Sequence, residues 1–287
     1  MSRRVALLAA LVVTMVAVVV GWQVTDDPGV APEPPRPSAS PTGEPSSSPT
    51  PVRATPPPGP DGGACYRLTY GEAVAPTSTR SPVACDREHT SATYLVGELD
   101  TVVDGHLVAV DSEEVRGQVS SACPDRFAEH VGGTEEQRRL SVLRPVWFTP
   151  TLEESDAGAT WFRCDVIAVA RDRQLAPLDG RAAGALGTPA GQARYGLCGT
   201  AEPGTAGFSR VICAEEHSWR AIRTVTLAGP DYPGEAAVRT AGEAPCRAAG
   251  RAASADQLDF RWGYEWPTAR QWSDGQTYGL CWVPDPA

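Results

Sequence analysis

Two histidines each stand four residues after a cysteine, in Cys85-x-x-x-His89 and Cys213-x-x-x-His217. A thiol and an imidazole at that spacing suggest two chemistries: an activated cysteine nucleophile or half of a zinc site. Both need a free sulfur. The eight cysteines argue against one, because they fall into two matched sets, Cys65, Cys85, Cys123, Cys164 and Cys198, Cys213, Cys246, Cys281. Even-numbered, widely spaced cysteines with no CxxC read as structural disulfides in an oxidising compartment. No metal and no cofactor are therefore expected. His89 and His217 are read as ties between backbone segments, or as donors and acceptors for a partner. Glu88 and Glu216 precede them.

Carboxylates offer a second chemistry. Glu153, Glu154 and Glu265 are the acid–base candidates for a cell-wall-modifying enzyme such as a glycan hydrolase, which needs two acids about 5–9.5 Å apart around a cleft. Their positions do not register between the two cysteine sets, and no nucleophile elbow, zinc-helix, P-loop or dinucleotide motif is present in the folded part. The reading favours a non-enzyme. The aromatic residues point instead to interaction. Trp262, Tyr264, Trp266, Trp272, Tyr278 and Trp282 crowd the C-terminal end, and the first three alternate, so they share one face of a strand. They form a small aromatic core or, where exposed, a platform for a partner.

The elements that must position these residues are duplicated. Pro150-Thr151 and Pro267-Thr268 begin 14 residues before the last cysteine of each set, with Gly158 and Gly275 standing 6 before it. If bridges stay within a set, nine pairings remain. Sequential pairing, one short and one long loop per set, is the expectation. Strands are read at 93–96, 107–110, 140–148 and 161–170, then at 210–213, 219–227, 260–266 and 278–283. The i, i+4 series Val119, Cys123, Phe127, Val131 predicts a helix that Pro124 should start near 121–123. Residues 244–253 are its counterpart. The fold class is α+β: two tandem small disulfide-stabilised domains, each an antiparallel sheet with a packed helix, spanning 63–172 and 195–287 and joined by a linker at 173–194.

Two segments precede them. Arg3 and Arg4 lead an apolar run from Val5 to Trp22, read as an uncleaved signal anchor over 1–24 with the arginines cytoplasmic. Residues 25–62 read as a Pro/Ser-rich extracytoplasmic linker, because Pro28–Pro60 holds 13 of the 27 prolines. The chain has no lysine, and its formal net charge of −10 excludes nucleic acid as the expected partner. The localisation read from this is a single-pass cell-membrane protein with its C-terminal domains outside.

These spaced residues resemble the septum-formation domain family of actinobacterial cell-envelope proteins, in two tandem copies. The resemblance rests on Cys65-Tyr66, Val83-Ala84-Cys85, His89, Cys123, Trp147, Pro150-Thr151, Gly158 and Cys164, and on Cys198, Val211-Ile212-Cys213, His217, Cys246, Tyr264, Pro267-Thr268, Trp272, Gly275 and Cys281-Trp282. It implies an association with division or envelope assembly and no particular reaction. The expected function is a membrane-tethered interaction or scaffold protein whose partner is an envelope protein or cell-wall component.

Overall fold

The computed structural model describes residues 55–285. The expected anchor and most of the proline-rich linker lie outside that range. Among the described residues no helix is long and apolar enough to cross a membrane.

The first half runs β1 (Cys65–Tyr66), α1 (Tyr70–Ala73), β2 (Ser91–Glu98), the small hairpin β3 (Val102–Val103) and β4 (His106–Leu107), α2 (Glu113–Val131), α3 (Glu135–Arg139), β5 (Leu143–Phe148), α4 (Leu152–Asp156), β6 (Trp161–Arg171) and β7 (Gln174–Ala176). After a short 3₁₀ turn and α5 (Pro189–Arg194) come β8 (Leu197–Gly199), β9 (Arg210–Ile212), β10 (Trp219–Thr226), α6 (Glu235–Ala253), β11 (Gly263–Glu265), α7 (Ala269–Ser273) and β12 (Tyr278–Pro284). The first sheet has the order β1-β2-β6-β5, with β7 also on β6; the second has β11-β12-β10-β8-β9. Read from the opening strand, β8-β10-β12-β11 repeats β1-β2-β6-β5. The registers repeat too. Cys164 pairs with Leu95 and Trp147, while Cys281 pairs with Arg223 and Tyr264. A register shift falls between Thr93 and Leu95 in one sheet and between Ala221 and Arg223 in the other, the same offset from each histidine.

The repeated Pro-Thr pair is a helix start. Thr151 and Thr268 are the N-caps of α4 and α7, and each closes a capping box with the residue three positions on, Glu154 or Gln271. Gly158 and Gly275 follow these helices at φ of 96° and 92°, a region open to glycine.

Helix α2 begins at Glu113, well before the start Pro124 suggested. Ser112 caps it, Glu113 and Glu114 face the positive end, and Val115, Val119, Cys123, Phe127 and Val131 form the buried stripe. Pro124 is tolerated because it lies on the exposed side. The carbonyl its ring leaves unpaired belongs to Ser120, which is also exposed and open to water. Helix α6 repeats this with Pro245 on its exposed side, and likewise starts nine residues before the expected 244.

In the second half the packing turns on glycine. A Cβ at Gly242 of α6 would lie 1.9 Å from the Tyr264 ring, and one at Gly279 of β12 would lie 2.3 Å from it. The ring is thus clasped between helix and strand. Gly242→Ala is expected to lower the unfolding free energy by about 1–3 kcal/mol, against the roughly 1 kcal/mol that helix propensity would add. Urea unfolding decides the sign, and a gain would show that the clasp is not tight.

The two sheets share one core. Val142 N–H donates to the Tyr195 carbonyl at 2.8 Å, and Leu197 N–H to that of Leu140 at 2.9 Å. Leu143, Val166, Leu186, Tyr195, Trp219 and Trp282 belong to a single buried cluster. The segment expected as a linker carries β7 and α5, and buries Leu178, Ala182 and Leu186.

Candidate functional site

The four bridges are sequential, Cys65–Cys85, Cys123–Cys164, Cys198–Cys213 and Cys246–Cys281, and no free cysteine stands among the described residues. The Cys123 and Cys246 bridges staple α2 to β6 and α6 to β12. The thiolate needed for a Cys–His nucleophile is absent from both pairs.

His89 is buried, with Nδ1 2.7 Å from the Arg87 carbonyl oxygen and Nε2 2.6 Å from that of Gly180. A neutral imidazole has one N–H and donates to one of these carbonyls at a time. His217 repeats the local fold-back, its Nδ1 2.7 Å from the Glu215 carbonyl oxygen, and its Nε2 faces Asp285 Oδ2 at 3.6 Å. Each histidine therefore lies against chain that follows the closing strands of its own sheet. Cys198, His217 and Asp285 place potential ligand atoms within 4.8 Å of one another. They suit a metal poorly: the Cys198 sulfur is bridged to Cys213, and Asp285 is ion-paired with Arg220.

The acid candidates are engaged in local structure. Glu154 Oε2 accepts from Thr151 N–H at 2.8 Å in its capping box. Glu265 is paired with Arg210 at 3.0 Å. Glu153 is exposed on α4.

The aromatic residues divide by exposure. Tyr264 is buried and donates from its hydroxyl to the Val238 carbonyl at 2.9 Å; burial pushes that hydroxyl up to about 12. Trp272 is buried, its Nε1 donating to the Pro230 carbonyl at 3.1 Å. Trp262 and Trp266 are only partly buried. Arginines stack along this edge of α6: Arg239 over Trp266 at 5.8 Å, Arg247 over Trp262 at 5.4 Å and Arg251 over Phe260 at 5.3 Å. All three arginines are exposed, and among the described residues none is within ion-pair distance of a carboxylate. Residues 239, 247 and 251 are separated by multiples of four, so they lie along one inclined i+4 ridge of the helix surface. Sequence reading singled out the tryptophans and missed these cations, although their spacing on a helix was the available signal.

A second cluster, also missed, lies inside the first sheet. Cys164 points to α2, so its neighbours Arg163 and Asp165 point to the opposite face. Ser91 and Thr93 hydroxyls donate to Asp165 at 2.8 and 2.7 Å. Arg163 Nε stands 3.5 Å from Asp165, and the guanidinium carbon lies 3.8 Å from the Tyr66 ring centre and 4.5 Å from that of Phe148. Arg163 Nε and Nη2 are buried without a hydrogen-bond acceptor. Two charges alternating on one face of a strand otherwise read as core were the signal for this cluster. Arg163, Asp165, Tyr66 and Phe148 are all buried, which makes the cluster part of the packing.

The molecule is thus a disulfide-stapled α+β protein with a repeated sheet topology and an arginine–aromatic surface on α6. The sequence model of the family described as septum formation matches residues 146–281 in one stretch. That stretch starts on β5 of the first sheet and ends at Cys281 on β12, so it crosses the shared core and takes in the arginine–aromatic surface. No curated protein and no solved structure matches the chain.

Proposed function

We propose that this protein is an extracytoplasmic interaction module of the cell envelope, tethered through its N-terminal segment and acting in septum formation as a scaffold without catalysis. The arginine–aromatic face of α6 carries this reading: partly exposed indoles held under cations that have no carboxylate partner among the described residues form a surface with binding chemistry to offer. Four disulfides support a location outside the cytoplasm, and the septum-formation match supports the setting. The partner is an envelope protein or a cell-wall component.

Crosslinking in growing cells, with identification of what is captured, tests the proposal. An envelope or division partner is expected with the native chain. Its yield should fall at least about tenfold in R239S/R247S, a loss of roughly 1.4 kcal/mol or more in binding. These two side chains are exposed, so the fold should survive their replacement. Undiminished capture by the variant would displace the site. Turnover of wall fragments by the purified chain would replace the scaffold with an enzyme.

A further inference from the structure

We infer that the rim of the first sheet around Trp161 is a groove for a polyproline-II segment, and that its occupant is the end of this chain's own proline-rich tether. The last tether residues, Pro56-Pro57-Pro58-Gly59-Pro60, are seated against the folded part. A Cβ built on Gly158 would lie 3.4 Å from Pro56 Cγ, and one built on Gly59 would lie 3.4 Å from Cβ, Cγ and Cδ1 of Trp161. Residues three apart fall on one side of a polyproline-II helix, which has three residues per turn. Positions 56 and 59 are such a pair, and the prolines between them favour that conformer before docking, which lowers the entropy lost on binding.

The receiving wall has the features such a ligand requires. Trp161 supplies a flat aromatic surface at the start of β6. Its Nε1 is buried and has no hydrogen-bond acceptor among the described residues. Cδ1, the indole carbon bonded to Nε1, is one of the atoms nearest Gly59, so the unpaired donor adjoins the tether. A polyproline-II backbone carries its carbonyls outward without internal hydrogen bonds, which makes it a natural acceptor for that donor. A cavity of about 470 Å³ lies between Pro56, Pro57 and Gly59 on one side and Gly97, Glu98 and Trp161 on the other. That room lets the segment slide or seat more deeply. The tether is then a strap fixed at its inner end, and the groove sets the point at which the spacer leaves the fold.

Fluorotryptophan labelling of the full chain tests this by ¹⁹F NMR, with the Trp161 signal assigned through Trp161→Phe. In P56S/P57S/P58S/P60S the Trp161 signal should move, while those of Trp262, Trp266 and Trp272 stay in place. A synthetic peptide of residues 50–60, added to that variant, should return the signal towards its native position. A peptide with serine at 56, 57, 58 and 60 should bind at least about tenfold more weakly. No shift in the variant would show that the tether is not seated, and no response to the peptide would show that the rim is not a receptor. Equal binding of the proline-free peptide would remove the polyproline requirement. If the native Trp161 signal changes with protein concentration, the occupant is a second copy's tether and the intramolecular strap is wrong.

Discussion

A chain carrying alanine at both Cys123 and Cys164 is expected to unfold with a free energy about 4 kcal/mol below that of the native protein. The bridge spans 41 residues and is the longest-range of the four, so its loss frees the largest closed loop in the unfolded ensemble. It is also the covalent link between α2 and β6, both ends of which are fully buried. The same replacement at Cys198 and Cys213, 15 residues apart, should cost about 3 kcal/mol. Urea unfolding of both variants under non-reducing conditions, with the other three bridges intact, gives the comparison. A greater loss from the short loop than from the long one would show that native-state strain or packing, rather than loop closure, governs these bridges.

The second large effect is expected inside the first sheet. Arg163→Leu strands the Asp165 carboxylate in the core with only the Ser91 and Thr93 hydroxyls beside it, and should cost about 3–5 kcal/mol. R163L/D165L should recover at least about 2 kcal/mol of that, because a hydrophobic pair removes both desolvation penalties. The second half of the molecule supplies the precedent. The positions flanking Cys281 that correspond to Arg163 and Asp165 are Leu280 and Trp282, both buried. The pH dependence has a definite sign. Burial holds the Asp165 carboxyl above its ordinary value, against the opposing pull of Arg163, Thr93 and Ser91. Its contribution to stability is therefore full below the unfolded value near about 4 and is lost as pH rises through the higher folded value. Arg163→Leu should deepen that loss, and Asp165→Asn should abolish it. Stability measured from about pH 4 upward checks the sign, and a rise in this group's contribution over that window would contradict it.

Much of the architecture follows from spacing in the sequence. The cysteine sets, the Pro-Thr pairs and the glycines recur at matched distances, and each proves to mark the same structural event twice: a staple, a capped helix start, a positive-φ turn. These features are legible because they are local or covalent, so residue type and offset suffice to specify them. Sequential pairing was readable for a related reason, since neighbouring cysteines are close along the chain before any fold exists. Other outcomes were decided only by tertiary packing. Pro124 suggested a late start for one helix and the Ala-rich stretch at 244–253 a short counterpart; both helices run through a proline, Pro124 and Pro245, because those positions face water and the opposite stripe is buried. The segment at 173–194 has the composition of a linker, yet long-range contacts bury Leu178, Ala182 and Leu186 in a core shared by both sheets. The alternation of Trp262, Tyr264 and Trp266 marks a common strand face without saying how deeply each lies. Tyr264 sinks because Gly242 and Gly279 leave room for its ring, while its neighbours stay at the edge beneath Arg239 and Arg247. Depth of burial depends on what another element brings to the same place, and that is set by the fold as a whole rather than by the local pattern.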